Sequence, residues 1–163
     1  METLVSLPVI VFLLSALGGC ILWTVRTVLW QKADWELQEE VRYVMERIVE
    51  DASKTEYADI WWDGRTVYFQ YWDMVNSWTM SRPPEAYAKY EWLGVPLEDF
   101  WWIAAERTGM PLTGKSVLGK VTITEFHCTM ATDHLFHVRI TGRSKVTGHE
   151  FSLESAVYMR GHP

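Results

Sequence analysis

Residues 3 to 25, TLVSLPVIVFLLSALGGCILWTV, hold no charged side chain, and one acid, Glu2, stands directly before them. A helix of that length reaches roughly 34 Å at about 1.5 Å per residue, enough to cross the hydrocarbon core of a bilayer. A carboxylate carried to mid-membrane costs on the order of 2 to 3 kcal/mol. Glu2 therefore calls for a cationic partner.

The rest of the 163-residue chain amounts to one ordinary globular domain. The sequence divides into an N-terminal helix over 1–54 and a β-rich head over 55–163. All 15 Lys and Arg lie from Arg26 onward against 20 of the 21 acids, which leaves that part at −5. A mildly acidic domain without a basic stripe is a poor nucleic-acid binder. Cys20 lies in the apolar run and Cys128 far away in the head, so neither a disulfide framework nor a redox compartment is legible. The run lacks the basic n-region of a cleaved secretory signal and reads as a retained membrane anchor. Arg26 and Lys32 follow it and no base precedes it, so the positive-inside rule alone would put the head in the cytoplasm.

Beyond the run the helix continues. Lys32 to Lys54 holds no Gly or Pro, and Leu37, Val41, Val44, Met45, Ile48, Val49 and Ala52 fall three and four apart, one stripe of an amphipathic helix. Arg42–Glu46, Arg47–Asp51 and Glu50–Lys54 are pairs of opposite charge four apart on its other faces. Pro8 and the pair Gly18–Gly19 weaken the helix locally. From 55 to 116, Thr66–Tyr71 reads as a strand after an Asp63–Gly64 turn. The Pro and Gly of the remainder predict irregular connections, one or two short strands and a helical turn near Leu97–Glu106. Three antiparallel strands follow: Val117–Cys128, Leu135–Thr141 and a segment from Glu150 to Arg160, the last two joined as a hairpin through GRSKVTG. Their apolar face needs a cover, and the amphipathic half of the helix is available to supply it.

His127, Cys128, Asp133, His134 and His137 cluster in sequence. Neighbouring strand positions point to opposite faces, so they read as polar positions of a hairpin and no metal site or cofactor is assigned. Of ten tryptophans, Trp23 and Trp30 suit a membrane boundary. The others, with the pairs Trp61–Trp62 and Trp101–Trp102, read as core and subunit contacts ahead of a ligand platform. Ser15 and Gly19 form a small-xxx-small pair suited to close helix packing. No nucleophile–base set, phosphate loop or dinucleotide fingerprint occurs, and no catalytic role is expected.

The stretch ETLVSLPVIVFLLSAL, continuing into VRYVMERIVEDASK and ending in the strand FSLESAVYMR, resembles the type IV pilins, most closely the minor pilins and pseudopilins of the PilW, GspJ and ComGF type. The resemblance implies an α+β, pilin-like fold, with a long helix, transmembrane then amphipathic, packed on a C-terminal antiparallel sheet. It further implies a structural subunit, not an enzyme, held in the bacterial inner membrane with its head outside and later drawn into a pilus, type II secretion or DNA-uptake filament, at its initiation or its tip. Glu2 would neutralise the N-terminal amine of a neighbouring subunit; Pro8, Ser15, Gly18 and Gly19 would serve helix packing and flexibility. The implied partners are sibling minor pilins, the major pilin, the inner-membrane assembly platform, membrane lipid and a prepilin peptidase. Peptidase processing needs a basic leader, whereas Met1 directly precedes Glu2. The expectation is that the reading frame begins upstream and that a leader and about three mature residues precede Glu2, which would also settle the orientation. The alternative from another class is a single-pass membrane protein whose Trp-rich domain binds a ligand or carbohydrate.

Overall fold

The computed structural model describes residues 2–55, 60–63, 65–72, 85–94, 97–104, 109–114, 120–132 and 134–159. One helix, α1 (Glu2–Lys54), runs for 53 residues. It passes unbroken through Pro8, whose ring removes one N–H from the hydrogen-bond ladder in the second turn of the helix. It also passes unbroken through Gly18–Gly19.

Two antiparallel sheets follow, and together with α1 they make an α+β architecture consistent with a pilin-like fold. The first has five strands in chain order: β1 (Ile60–Trp62), β2 (Thr66–Trp72), β3 (Glu85–Trp92), β4 (Phe100–Ala104) and β5 (Gly109–Thr113). The second has three: β6 (Val121–Thr132), β7 (Leu135–Ser144) and β8 (Glu150–Tyr158). Every neighbouring pair is antiparallel. The expected hairpin joins β7 to β8, with its turn at residues 145–149, because Gly142 to Ser144 of the expected link continue β7.

The middle of the chain corrects the sequence reading. Where one or two short strands and a helical turn were expected, there are five strands, and Phe100–Ala104 inside the expected helical turn is β4. EAYAKYEW has the Ala, Lys and Glu of a helix former, yet it becomes β3 because β2 and β4 flank it and Tyr90 is drawn fully into the core. Pro111 reads as loop punctuation but sits in β5, at the end of its sheet, where a missing N–H is tolerated. Gly64 lies outside the described residues; beside it the Asp63 carboxylate accepts from the amides of Arg65 and Thr66, which fixes the β1–β2 turn.

The core sits where the far half of α1 meets both sheets. Leu37, Val41, Val44, Met45, Ile48 and Ala52 are buried against Phe136, Val138 and Ile140 of β7 and against Val157 and Met159. Val49 is partly buried, and Ala33 extends the stripe one turn nearer the N-terminus. The sheets are joined by edge-to-face rings, Phe69 on Phe136 at 5.8 Å and Phe100 on Phe126 at 4.9 Å. Trp92 Nε1 adds a 2.9 Å hydrogen bond to the Ile123 carbonyl.

Candidate functional site

Among the described residues, the near half of α1 from Pro8 onward is left uncovered by the fold. Its most apolar stretch has a mean hydropathy of 2.2 and none of it is buried, and the helix is long and apolar enough to cross a membrane. Phe12, Leu14, Leu17, Ile21, Leu22 and Trp23 are each at least 60 % exposed, on every side of the helix. A helix apolar all round is built for lipid or for other helices, not for water. Beyond Arg26 comes a neck of Thr27–Lys32, and the head first touches α1 at Ala33, about 10 Å farther on at 1.5 Å per residue. In that neck the Arg26 guanidinium lies 4.5 Å from the Trp30 ring centre.

Glu2 is the first residue of α1, and its side chain lies outside those described. Pro8 is exposed. The Ser15 hydroxyl turns back to donate 2.9 Å to the Phe12 carbonyl, so it is satisfied within its own helix. Nothing lies within 4 Å of where a Cβ would stand on Gly18 or Gly19. The surface around these glycines is open to close approach by another helix.

Polar contacts from the far half of α1 fix the head on this helix. Asp34 accepts from the Thr147 hydroxyl at 2.8 Å and meets His149 Nδ1 at 3.0 Å, both at the β7–β8 turn. Glu36 pairs with Lys120 at 3.1 Å. The Thr113 hydroxyl lies 2.8 Å from Glu40 Oε2 and 3.1 Å from the Val121 carbonyl, which ties α1 to the junction of the two sheets. Partial burial, the largest influence, holds the Glu40 carboxyl above its usual range. The buried Asp51 accepts 2.6 Å from Tyr90 Oη. Of the three expected pairs along α1, Glu50–Lys54 closes at 2.6 Å. Arg47 instead lies 5.1 Å from the Trp102 ring centre, and among the described residues Arg42 and Glu46 form no ion pair.

Sequence reasoning missed Asp34, Glu40, Tyr90 and Thr113, and gave Asp51 to Arg47 where the structure gives it to Tyr90. The readable signal was an acid at stripe spacing: Asp51 follows Ile48 by three, where an apolar residue belongs. Among the described residues no group of three or more His, Cys, Asp or Glu is arranged to hold a metal. His127 is exposed while its neighbour Cys128 is buried, and burial pushes the Cys128 thiol up; Asp133 lies outside the described residues. Trp62, Trp92 and Trp102 pack half-buried against the core, and Trp23, Trp30 and Trp35 stand exposed along α1.

No protein-family model matches this chain, and no curated protein or solved structure shows a significant similarity to it. The reading of function rests on the geometry above.

Proposed function

We propose that this chain is a minor pilin or pseudopilin, a structural subunit of a type IV pilus, type II secretion or DNA-uptake filament, acting at its initiation or tip. The observation that carries the reading is α1 itself: one unbroken helix whose far half is buried on two sheets and whose apolar near half has no partner among the described residues. Such a segment is at home in lipid and, once extracted, against like helices. Before assembly the subunit waits in the bacterial inner membrane with its head on the periplasmic or extracellular side.

In this reading Glu2 accepts the N-terminal amine of a neighbouring subunit, since an acid and an amine together cost less in lipid than either alone. Gly18, Gly19 and Ser15 let helices approach closely in the filament core, and Pro8 limits the stiffness of the first turns. Sibling minor pilins and the major pilin are the partners, reached through α1, with the assembly platform in the same membrane and a prepilin peptidase acting on any leader. No substrate is turned over.

The test is the Glu2→Ala variant in the producing cell, scored for incorporation into sheared filaments or for secretion. Loss of incorporation with the head still folded supports the reading. Unchanged incorporation contradicts the role of Glu2. A chain that stays in the membrane fraction while its purified head binds a soluble ligand would favour the single-pass binding protein instead.

A further inference from the structure

β8 is an unprotected sheet edge. It runs nine residues, Glu150–Tyr158, and β7 is its one strand neighbour among the described residues. Its register with β7 is uninterrupted from Glu150 to Tyr158. The other free ends are guarded, β5 by its five-residue length and by Pro111. β1 is three residues long, and β6 is broken by register shifts at Ile123/Glu125 and Met130/Thr132, with Thr113 of β5 against its start. Natural edges are shielded by Pro, charged side chains, bulges or brevity; β8 has no Pro, Lys, bulge or shortness, and its charges are two glutamates, Glu150 and Glu154.

The direction of its free backbone groups follows from the ladder. Ser144 N–H donates to the His149 carbonyl at 2.9 Å, and Met159 N–H to the His134 carbonyl at 2.8 Å. Both pairs continue the β7–β8 register, in which hydrogen-bonded and non-hydrogen-bonded pairs alternate. The odd-numbered residues of β8 thus bond to β7. Glu150, Ser152, Glu154, Ala156 and Tyr158 aim N–H and C=O outward.

The side chains add a second, independent observation. On the α1 side, Ile140 and Gly142 of β7 are buried, whereas their β8 partners Leu153 and Phe151 stay partly open. On the outer side Glu154 stands opposite Arg139 of β7 without closing an ion pair among the described residues, which leaves its carboxylate available at the free edge.

We propose that β8 receives an extended strand from a neighbouring subunit anchored in the same membrane, with apolar side chains over Phe151 and Leu153 and a basic side chain beside Glu154. A second copy pairing its own β8 in the antiparallel sense is disfavoured by direction. β8 leaves the helix near Asp34 at His149 and rises past Leu37 and Val41 at Phe151, which pairs with Gly142. Antiparallel pairing of two β8 strands would therefore aim the two apolar helices apart, which one membrane does not allow. That the donor is a subunit rests on the assembly reading; the receptive edge does not.

The experiment uses the full chain in non-ionic maltoside micelles and a labelled peptide of alternating lysine and valine. An alternating glutamate–valine peptide and empty micelles serve as controls. The expected result is binding of the lysine peptide with slowed hydrogen exchange at the amides of residues 150, 152, 154, 156 and 158. Ala156→Pro, which removes an outward N–H and spares the β7 ladder, should weaken binding by about tenfold or more. Glu154→Lys should shift preference toward the glutamate peptide. Equal binding to Ala156→Pro, equal binding of both peptides, protection elsewhere or no binding would overturn the proposal. A peptide-free chain that already protects these amides as a dimer would assign the edge to a second copy and overturn it too. None of these outcomes bears on Glu2, so the two proposals fail separately.

Discussion

Tyr90 on β3 donates its hydroxyl to Asp51 near the end of α1 across 2.6 Å, with the phenol fully buried and the acid 8 % exposed. Burial first, and then the Asp51 carboxylate, pushes the phenol up, so it stays protonated and keeps donating. This bond clamps the far end of the helix to the five-stranded sheet. Tyr90→Phe strands a buried carboxylate and should cost about 1 to 3 kcal/mol in denaturant unfolding. Adding Asp51→Leu should recover much of that loss, because the uncompensated acid goes with it. A Tyr90→Phe loss within about 0.5 kcal/mol would mean that the clamp is ornamental.

Gly142 marks the closest approach of helix to sheet. A Cβ there would stand 2.5 Å from Val41 Cγ2 and 3.2 Å from Leu37 Cδ1, both in the core. Gly142→Ala should destabilise the head by about 1 to 3 kcal/mol, as overpacking does. Val41→Ala in the same chain should offset part of it. If each change costs the same alone and together, the contact is looser than the geometry says.

Two acids on α1 should give opposite pH dependences. At Asp34 burial pulls upward, but the Thr147 hydroxyl and His149 outweigh it and hold the carboxyl below the usual aspartate range. Its contribution to stability is present above that usual range and is lost as pH falls through the lowered value. Glu40 is held above the usual glutamate range, so the folded state binds its proton more readily and gains as pH falls through that range. Asp34→Asn should flatten the acid-side loss of stability, by about 1 kcal/mol or less for so exposed an acid. Glu40→Gln should steepen it. Melting temperatures followed from about pH 6 to 3 would show both slopes.

The two cysteines report on membrane placement. Cys20 is exposed on the apolar half of α1 and Cys128 is buried. In sealed vesicles a membrane-impermeant maleimide should label neither, since lipid shields the first and the core the second. Detergent should expose Cys20 alone, and denaturant both. Labelling of Cys20 in intact vesicles would put that helix face in water.

The helix was legible because each half obeys a strong rule: an uncharged run of bilayer length, then apolar residues three and four apart. The C-terminal hairpin was legible from strict alternation in β8 and the Gly-rich link before it. The middle sheet was not. Its strands are short, and Pro111 and EAYAKYEW carry local signals for loop or helix that partner strands override, while the strand formers of FWWIA span only five residues. The tethers were hidden for a related reason. Asp34 finds Thr147, and Asp51 finds Tyr90, only when distant segments meet, and nothing local in the sequence pairs them. Glu2 was singled out from its place before the run, an argument about lipid cost that needs no fold at all.

The central claim is that α1 moves from lipid into a filament with Glu2 as its pairing acid. The most direct measurement is the fraction of full-length chain recovered in sheared, detergent-resistant filaments from producing cells, for the unaltered chain and for Glu2→Ala. The account predicts recovery of the unaltered chain in that fraction and retention of Glu2→Ala in the membrane at equal expression. Equal recovery of both, or an unaltered chain that never leaves the membrane, would contradict it.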